Sequence, residues 1–190
     1  MTDTVLKRRS ALDGHWQAGT SGAVGPVGPG ITLSLRTPLS MVQVDAWNTL
    51  SDIAGQALPT PVKAVEDATG RAILNTGPNR YLVVEPETDD LLATLETALG
   101  DTAALTGQGH ARTVWRITGP NLRDLLAKGT TVDVDRMAPG DCIVTLLGHF
   151  STILHCRTDD SADLYAARSY AVDVHHWLVE SSLEFGLTLD

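Results

Sequence analysis

Residues 114–128, VWRITGPNLRDLLAK, decide how this chain folds. Residues 114–117 are rich in β-branched and aromatic side chains and read as a strand. Thr118-Gly119 turns the chain, and Pro120 takes the first helical position, where its missing N–H had no intrahelical partner and its φ is already helical. Leu122, Leu125 and Leu126 then fall at i, i+3 and i+4 as one apolar stripe. Asp124 and Lys128 make an i,i+4 pair on the wet side, and Gly129 stops the helix. Strand, tight turn and short helix form one well-marked unit.

Upstream, the same order can be traced. Residues 31–35 and 41–45 have strand patterns, and residues 48–58 place Leu50, Ile53, Ala54, Ala57 and Leu58 at helical spacing before Pro59 and Pro61. Residues 62–67 and 71–75 flank Ala68-Thr69-Gly70 as a hairpin, residues 80–85 are a buried strand, and residues 88–99 are a helix closed by Gly100. Downstream, Pro139-Gly140 turns into strands at 142–147 and 150–157. A polar turn at 159–162, a strand at 163–167 and a helix at 169–180 follow. The first strand–helix pair recurs about 72 residues on, and the last about 83 on. The expected fold is α+β: a degenerate duplication of a β-α-β-β-β-α unit, with antiparallel-rich sheets and helices packed on one side. The two halves, 31–100 and 108–190, make a single compact domain. Residues 1–30, with SGAVGPVGPG, form an irregular N-terminal arm lying on a surface.

With 190 residues the chain can bury a core without staples. Its net charge of −9 argues against nucleic-acid backbones and anionic membranes as partners. Only 19% of residues are charged, which implies that some surface is covered by something else. Two cysteines make no disulfide framework, and no apolar run nears the roughly 20 residues that span a bilayer. Lys7-Arg8-Arg9 has no apolar segment behind it, so a cytoplasmic location is expected.

No reactive centre assembles. Cys142, His149, His155 and Cys156 are the candidates for zinc, but His155 and Cys156 are strand neighbours that point to opposite faces. Cys142 could serve as a nucleophile with His149 as base, although nothing marks an oxyanion site beside them. The remaining cysteine and histidines read as buried thiols and surface imidazoles, one of His175 and His176 facing outward. Residues 107–110, GQGH, lead into a strand instead of opening a helix and so read as a hairpin-like loop, not a dinucleotide site. Asp133 and Asp135 share strand spacing in VDVDR and read as solvated. Catalytic, cofactor-binding and metal-binding residues are all expected to be none.

ITGPNLRDLLAKG at 117–129, Pro139-Gly140, LLGH at 146–149, LYAARSYA at 164–171, HWL at 176–178 and EFG at 184–186 occur in an order that resembles the gamma subunit of heterotetrameric sarcosine oxidase. RRSALDG at 8–14 and GPNRYLVVEP at 77–86 add to it, although Asn79-Arg80 replaces an acidic pair. The resemblance implies a fold similar to the folate-binding aminomethyltransferases and alpha, beta and delta subunits as partners. It implies no cofactor in this chain, with FAD, FMN, NAD, tetrahydrofolate and zinc in those partners. The activity implied is oxidative demethylation of sarcosine to glycine, with hydrogen peroxide and formaldehyde or 5,10-methylenetetrahydrofolate, this chain being a non-catalytic scaffold. The alternatives are the small subunit of an N-methylglutamate dehydrogenase-type complex, or a stand-alone folate-binding module for which Arg116, Arg123 and Arg168 are the candidate contacts.

Overall fold

Two antiparallel-rich sheets lie face to face in the computed structural model, which describes residues 9–190. In chain order the elements are β1 (Gly19–Ser21), β2 (Ile31–Leu35), β3 (Leu39–Ala46), β4 (Asp52–Ile53), β5 (Gln56–Ala57), β6 (Ala64–Glu66), β7 (Ala72–Gly77), β8 (Arg80–Pro86), α1 (Leu91–Leu99), β9 (Ala103–Gly107), β10 (Arg112–Thr118), α2 (Leu122–Ala127), β11 (Cys142–Leu147), β12 (Phe150–Thr158), β13 (Ser161–Ala167), α3 (Ala171–Ser182) and β14 (Leu187–Leu189). One sheet runs β6-β7-β8-β3-β9 and the other β1-β14-β2-β10-β13-β12-β11.

Strand alternation sorts the side chains into three cores. Met41, Leu74, Leu82, Val114, Ile153 and Tyr165 fill the space between the sheets. On the outer face of the five-stranded sheet, Val44, Ile73 and Val83 meet Leu91, Leu95 and Leu99 of α1. On the outer face of the other, Trp115, Ile117 and Leu164 meet Leu122, Leu125 and Leu126 of α2 and Val174 and Leu178 of α3. The layers are therefore helix, sheet, sheet, helix, each sheet carrying helices on one side.

The quoted stretch folds as strand, turn and helix, with its three leucines at 3%, 0% and 3% exposure. Two details differ. Asn121 is the N-cap, so Pro120 stands before the helix instead of at its first position. Lys128 does not pair with Asp124; it donates to the Ser181 carbonyl at 2.6 Å and pairs with Glu184, while Asp124 accepts from Asn121.

A larger correction concerns residues 48–58, which are not a helix. They form the β4–β5 hairpin, with Ala54 at φ 51° and Gly55 at φ 81°. The Asp52 carboxylate accepts the Gly55 N–H at 3.0 Å, a side-chain turn that competes with helix. The first half thus lacks the helix that α2 supplies in the second. Residues 107–110 are not a hairpin loop either, because β9 and β10 belong to different sheets and the loop carries the chain from one to the other. Residues 36–38 make the reverse crossing from β2 to β3.

The arm docks through Leu12, which is 1% exposed, and through β1, which pairs with β14. Gly119 fits against it only as glycine: its φ is 132°, and a Cβ there would sit 2.1 Å from the Gly30 carbonyl oxygen. At the far edge the sheets are clasped by the ion pairs Lys63–Asp141 and Arg157–Glu66 and by the Ala64 N–H donating to the Gly140 carbonyl. Among the described residues no helix is long and apolar enough to cross a membrane.

Candidate functional site

Strand register decides which of the reactive side chains meet. Cys142 faces His155, His155 faces Asp163, and Asp163 faces Arg116, so the four lie in one row across β11, β12, β13 and β10. His149 lies outside that row, exposed in the turn beyond the opposite end of β11 from Cys142. The proposed Cys142–His149 pair therefore does not form. Cys156 points into the helix-side core while Cys142 points between the sheets, so the two sulfurs are separated by the sheet itself. Among the described residues no group of three or more His, Cys, Asp or Glu side chains could hold a metal ion.

The row has the composition of a thiol–imidazole–carboxylate triad but not its electrostatics. Burial, with Asp141 nearby, pushes the Cys142 thiol up to about 12. Burial and the neighbouring Arg157 bring His155 down to about 4. At neutral pH the sulfur is a thiol and the ring is uncharged, the reverse of an activated pair. Nor is Asp163 free to orient the ring. It is 2% exposed, accepts from Arg116 Nε and Nη2 at 2.8 Å each, and has Arg36 at 3.7 Å. This ion-paired carboxylate was not legible as a site, because Arg116 of β10 and Arg36, just past β2, reach it from segments far apart in the chain.

His155, expected at the surface, is buried, and so is the inward member of the His175–His176 pair. His155 is 4% exposed and His175 2%, and neither Nδ1 has a hydrogen-bond partner. His175 stacks on Trp16 of the arm at 5.1 Å, while His176 is the outward member of its pair. Asp133 and Asp135 are exposed, as expected, but on a 3-10 turn at Val134–Arg136 instead of a strand.

Of the three arginines considered for a folate tail, Arg116 is held by Asp163. Arg123 donates to the Val134 carbonyl and, at 3.0 Å, to that of Met137, bracing the loop after α2. Arg168 reaches a cleft of about 350 Å³ that it lines together with Arg9, Arg36, Arg112 and Glu87. Lys7 and Arg8 of the basic triplet lie outside the described residues. A second, more apolar cleft of about 530 Å³ lies between Val62, Tyr81, Ile143 and Val144.

No protein-family model matches the chain. It is 30% identical over 140 residues to the sarcosine oxidase subunit gamma of Corynebacterium sp. strain P-1, covering 72% of this chain and 69% of that one. The chain belongs to the sarcosine oxidase gamma-subunit family. The gamma subunits of Corynebacterium sp. strain U-96 and an Arthrobacter species are 29% and 28% identical over the same length, with 72% of this chain covered in each case. Among solved structures, this gamma-family chain superposes on heterotetrameric sarcosine oxidase from Corynebacterium sp. U-96 with a TM-score of 0.81 at 24% identity, over 94% of its length and 96% of the other. It superposes on the glycine cleavage system aminomethyltransferase T of Bartonella henselae with a TM-score of 0.68 at 12% identity, over 94% of its own length and 57% of that chain. The fold is accordingly aminomethyltransferase-like.

Proposed function

We propose that this chain is a non-catalytic structural subunit of a cytoplasmic heterotetrameric sarcosine oxidase, held by alpha, beta and delta subunits. FAD, FMN, NAD, tetrahydrofolate and zinc reside in those partners. The assembly demethylates sarcosine oxidatively to glycine, with hydrogen peroxide and formaldehyde or 5,10-methylenetetrahydrofolate as the other products. Family membership supports the reading.

The structural observation that carries it is β11. This strand ends the seven-stranded sheet, and its sequence CIVTLL has none of the lysines or prolines that usually blunt an open edge. Val144 is 50% exposed and Leu146 55%, beside the larger cleft. An aliphatic edge of this kind invites aggregation unless another chain covers it.

The domain reading is one α+β unit over 31–190 made of two duplicated halves, 31–100 and 108–190. The strand orders β6-β7-β8-β3-β9 and β11-β12-β13-β10-β2 support it: the first half lends β2 to the sheet of the second, and β9, from the segment between the halves, completes the sheet of the first.

Co-expression with the flavin-bearing subunits tests the proposal. The expected result is stoichiometric co-purification with flavin absorbance, lost in Val144→Asp/Leu146→Asp. A well-behaved monomer indifferent to those partners would overturn it.

A further inference from the structure

The two crossings between the sheets run side by side. Gln108 donates its N–H to the Met41 carbonyl at 2.7 Å, and Arg36 donates to that of Val114 at 2.9 Å. Where strands leave one sheet for another, the side chains at their ends face a gap that neither sheet fills. The cleft of about 350 Å³ is this gap, and its size suits a small ligand.

Its lining departs from the charge of the molecule. In a chain of net charge −9, Arg9, Arg36, Arg112 and Arg168 converge here against a single lining carboxylate, Glu87. Other arginines are accounted for: Arg71 pairs with Glu85, Arg80 with Asp45, Arg116 with Asp163 and Arg157 with Glu66, and within the cleft Arg36 lies 3.7 Å from Asp163 and Arg168 donates to the Arg9 carbonyl at 2.9 Å. Arg112 is the exception. It stands at the first position of β10, its Nε is buried, and that N–H has no partner. Buried polar groups are almost always paired, so the orphan donor marks a guanidinium short of acceptors, one that lines this cleft and also a smaller one of about 150 Å³ beside Arg80 and Thr152. The planar fork of guanidinium donors matches the two oxygens of a carboxylate or phosphate, and arginine is the side chain that binds them bidentately.

We infer that this cleft binds a small anion bearing carboxylate or phosphate groups, with Arg112 as its central contact and Arg36 and Arg168 flanking it. Neither a catalytic role nor the identity of the neighbouring subunits enters the inference. It stands or falls separately from the proposed scaffold function.

The test is calorimetric titration of the full chain, alone or in its native complex, with citrate and with inorganic pyrophosphate, against sodium chloride at matched ionic strength. Saturable heat is expected with at least one of the two probes, and the probe that binds separates a carboxylate from a phosphate ligand. Arg112→Gln is expected to weaken binding about 10-fold or more, the scale of a lost charge-assisted hydrogen bond, and Arg112→Lys to weaken it less. Should Arg112→Gln fail to fold, Arg168→Gln serves instead, with a loss of about 3-fold or more expected. Heat no greater than that of chloride, or equal affinity in wild type and the arginine variant, overturns the inference.

Discussion

Arg116 grips Asp163 with both arms of its guanidinium, at 2.8 Å to each carboxylate oxygen, from a neighbouring strand of the same sheet. The carboxylate is 2% exposed and the arginine 28%, so this pair is largely withdrawn from water between the sheets. Removing one member of a buried pair leaves the other charge uncompensated. Asp163→Asn keeps the volume but presents an amide N–H₂ to Arg116 and Arg36, and is expected to lower stability by about 2–4 kcal/mol in urea unfolding. A loss under about 0.5 kcal/mol would mean that the pair is solvated and that the inner face tolerates charge.

Acid should loosen the fold before the carboxylates titrate. His155 sits near 4 in the folded chain against an ordinary 6.5 because burial and Arg157 disfavour its charged form, and burial lowers His175 as well. The unfolded chain takes these protons first as pH falls. Stability is therefore full above about 6.5 and declines as pH drops toward about 4, by up to about 3 kcal/mol for His155. Urea unfolding midpoints measured across this window in wild type and His155→Gln should show a shallower pH slope in the variant. Equal slopes would place the proton uptake elsewhere.

Both thiols should be silent in the native state. Burial raises Cys142 to about 12 and raises Cys156 too, so almost no thiolate is present at neutral pH. Titration with a thiol-specific chromogen is expected to count no reactive group in the folded chain and both cysteines after denaturation. Cys142→Ala is expected to leave turnover of the assembled oxidase unchanged. Rapid native labelling of Cys142, or loss of turnover in that variant, would restore it as a chemical group.

The sequence was most legible where period and punctuation agreed. Leu122, Leu125 and Leu126 share one face and are flanked by Gly-Pro and Lys-Gly, and all three are in the core. Residues 48–58 match the same period, yet a local hydrogen bond wins there. Asp52 holds the Gly55 N–H, Ala54 and Gly55 take positive φ, and of the apolar set only Ile53 is fully buried. An Asp followed three residues later by Gly was the missed signal. The crossings between the sheets left no local trace, because strand partnership is set by packing far along the chain. The arginine cleft was hidden for the same reason: Arg36, Arg112 and Arg168 come from separate segments. Strand alternation puts His155 and Cys156 on opposite faces but is silent on whether both faces are covered, and here both are.

Gly129 gives a prediction in which two effects oppose each other. It lies just past α2, and its φ is not positive, so alanine is acceptable to the backbone there. By chain entropy alone Gly129→Ala should stabilise by about 0.4–1 kcal/mol. Packing says the reverse. A Cβ would meet Trp177 Cζ2 at 2.5 Å and Leu147 Cδ1 at 2.9 Å. Leu147 is 2% exposed and has no open space to retreat into, and Trp177 packs against the same core. Overpacking of this kind costs about 1–3 kcal/mol, which outweighs the entropic gain. Gly129→Ala is therefore expected to lower the thermal midpoint, and Trp177→Leu in the same chain to make the alanine less costly than it is alone. Purely additive changes in that double-mutant cycle, or a stabilised single variant, would show that the indole does not rest on this glycine.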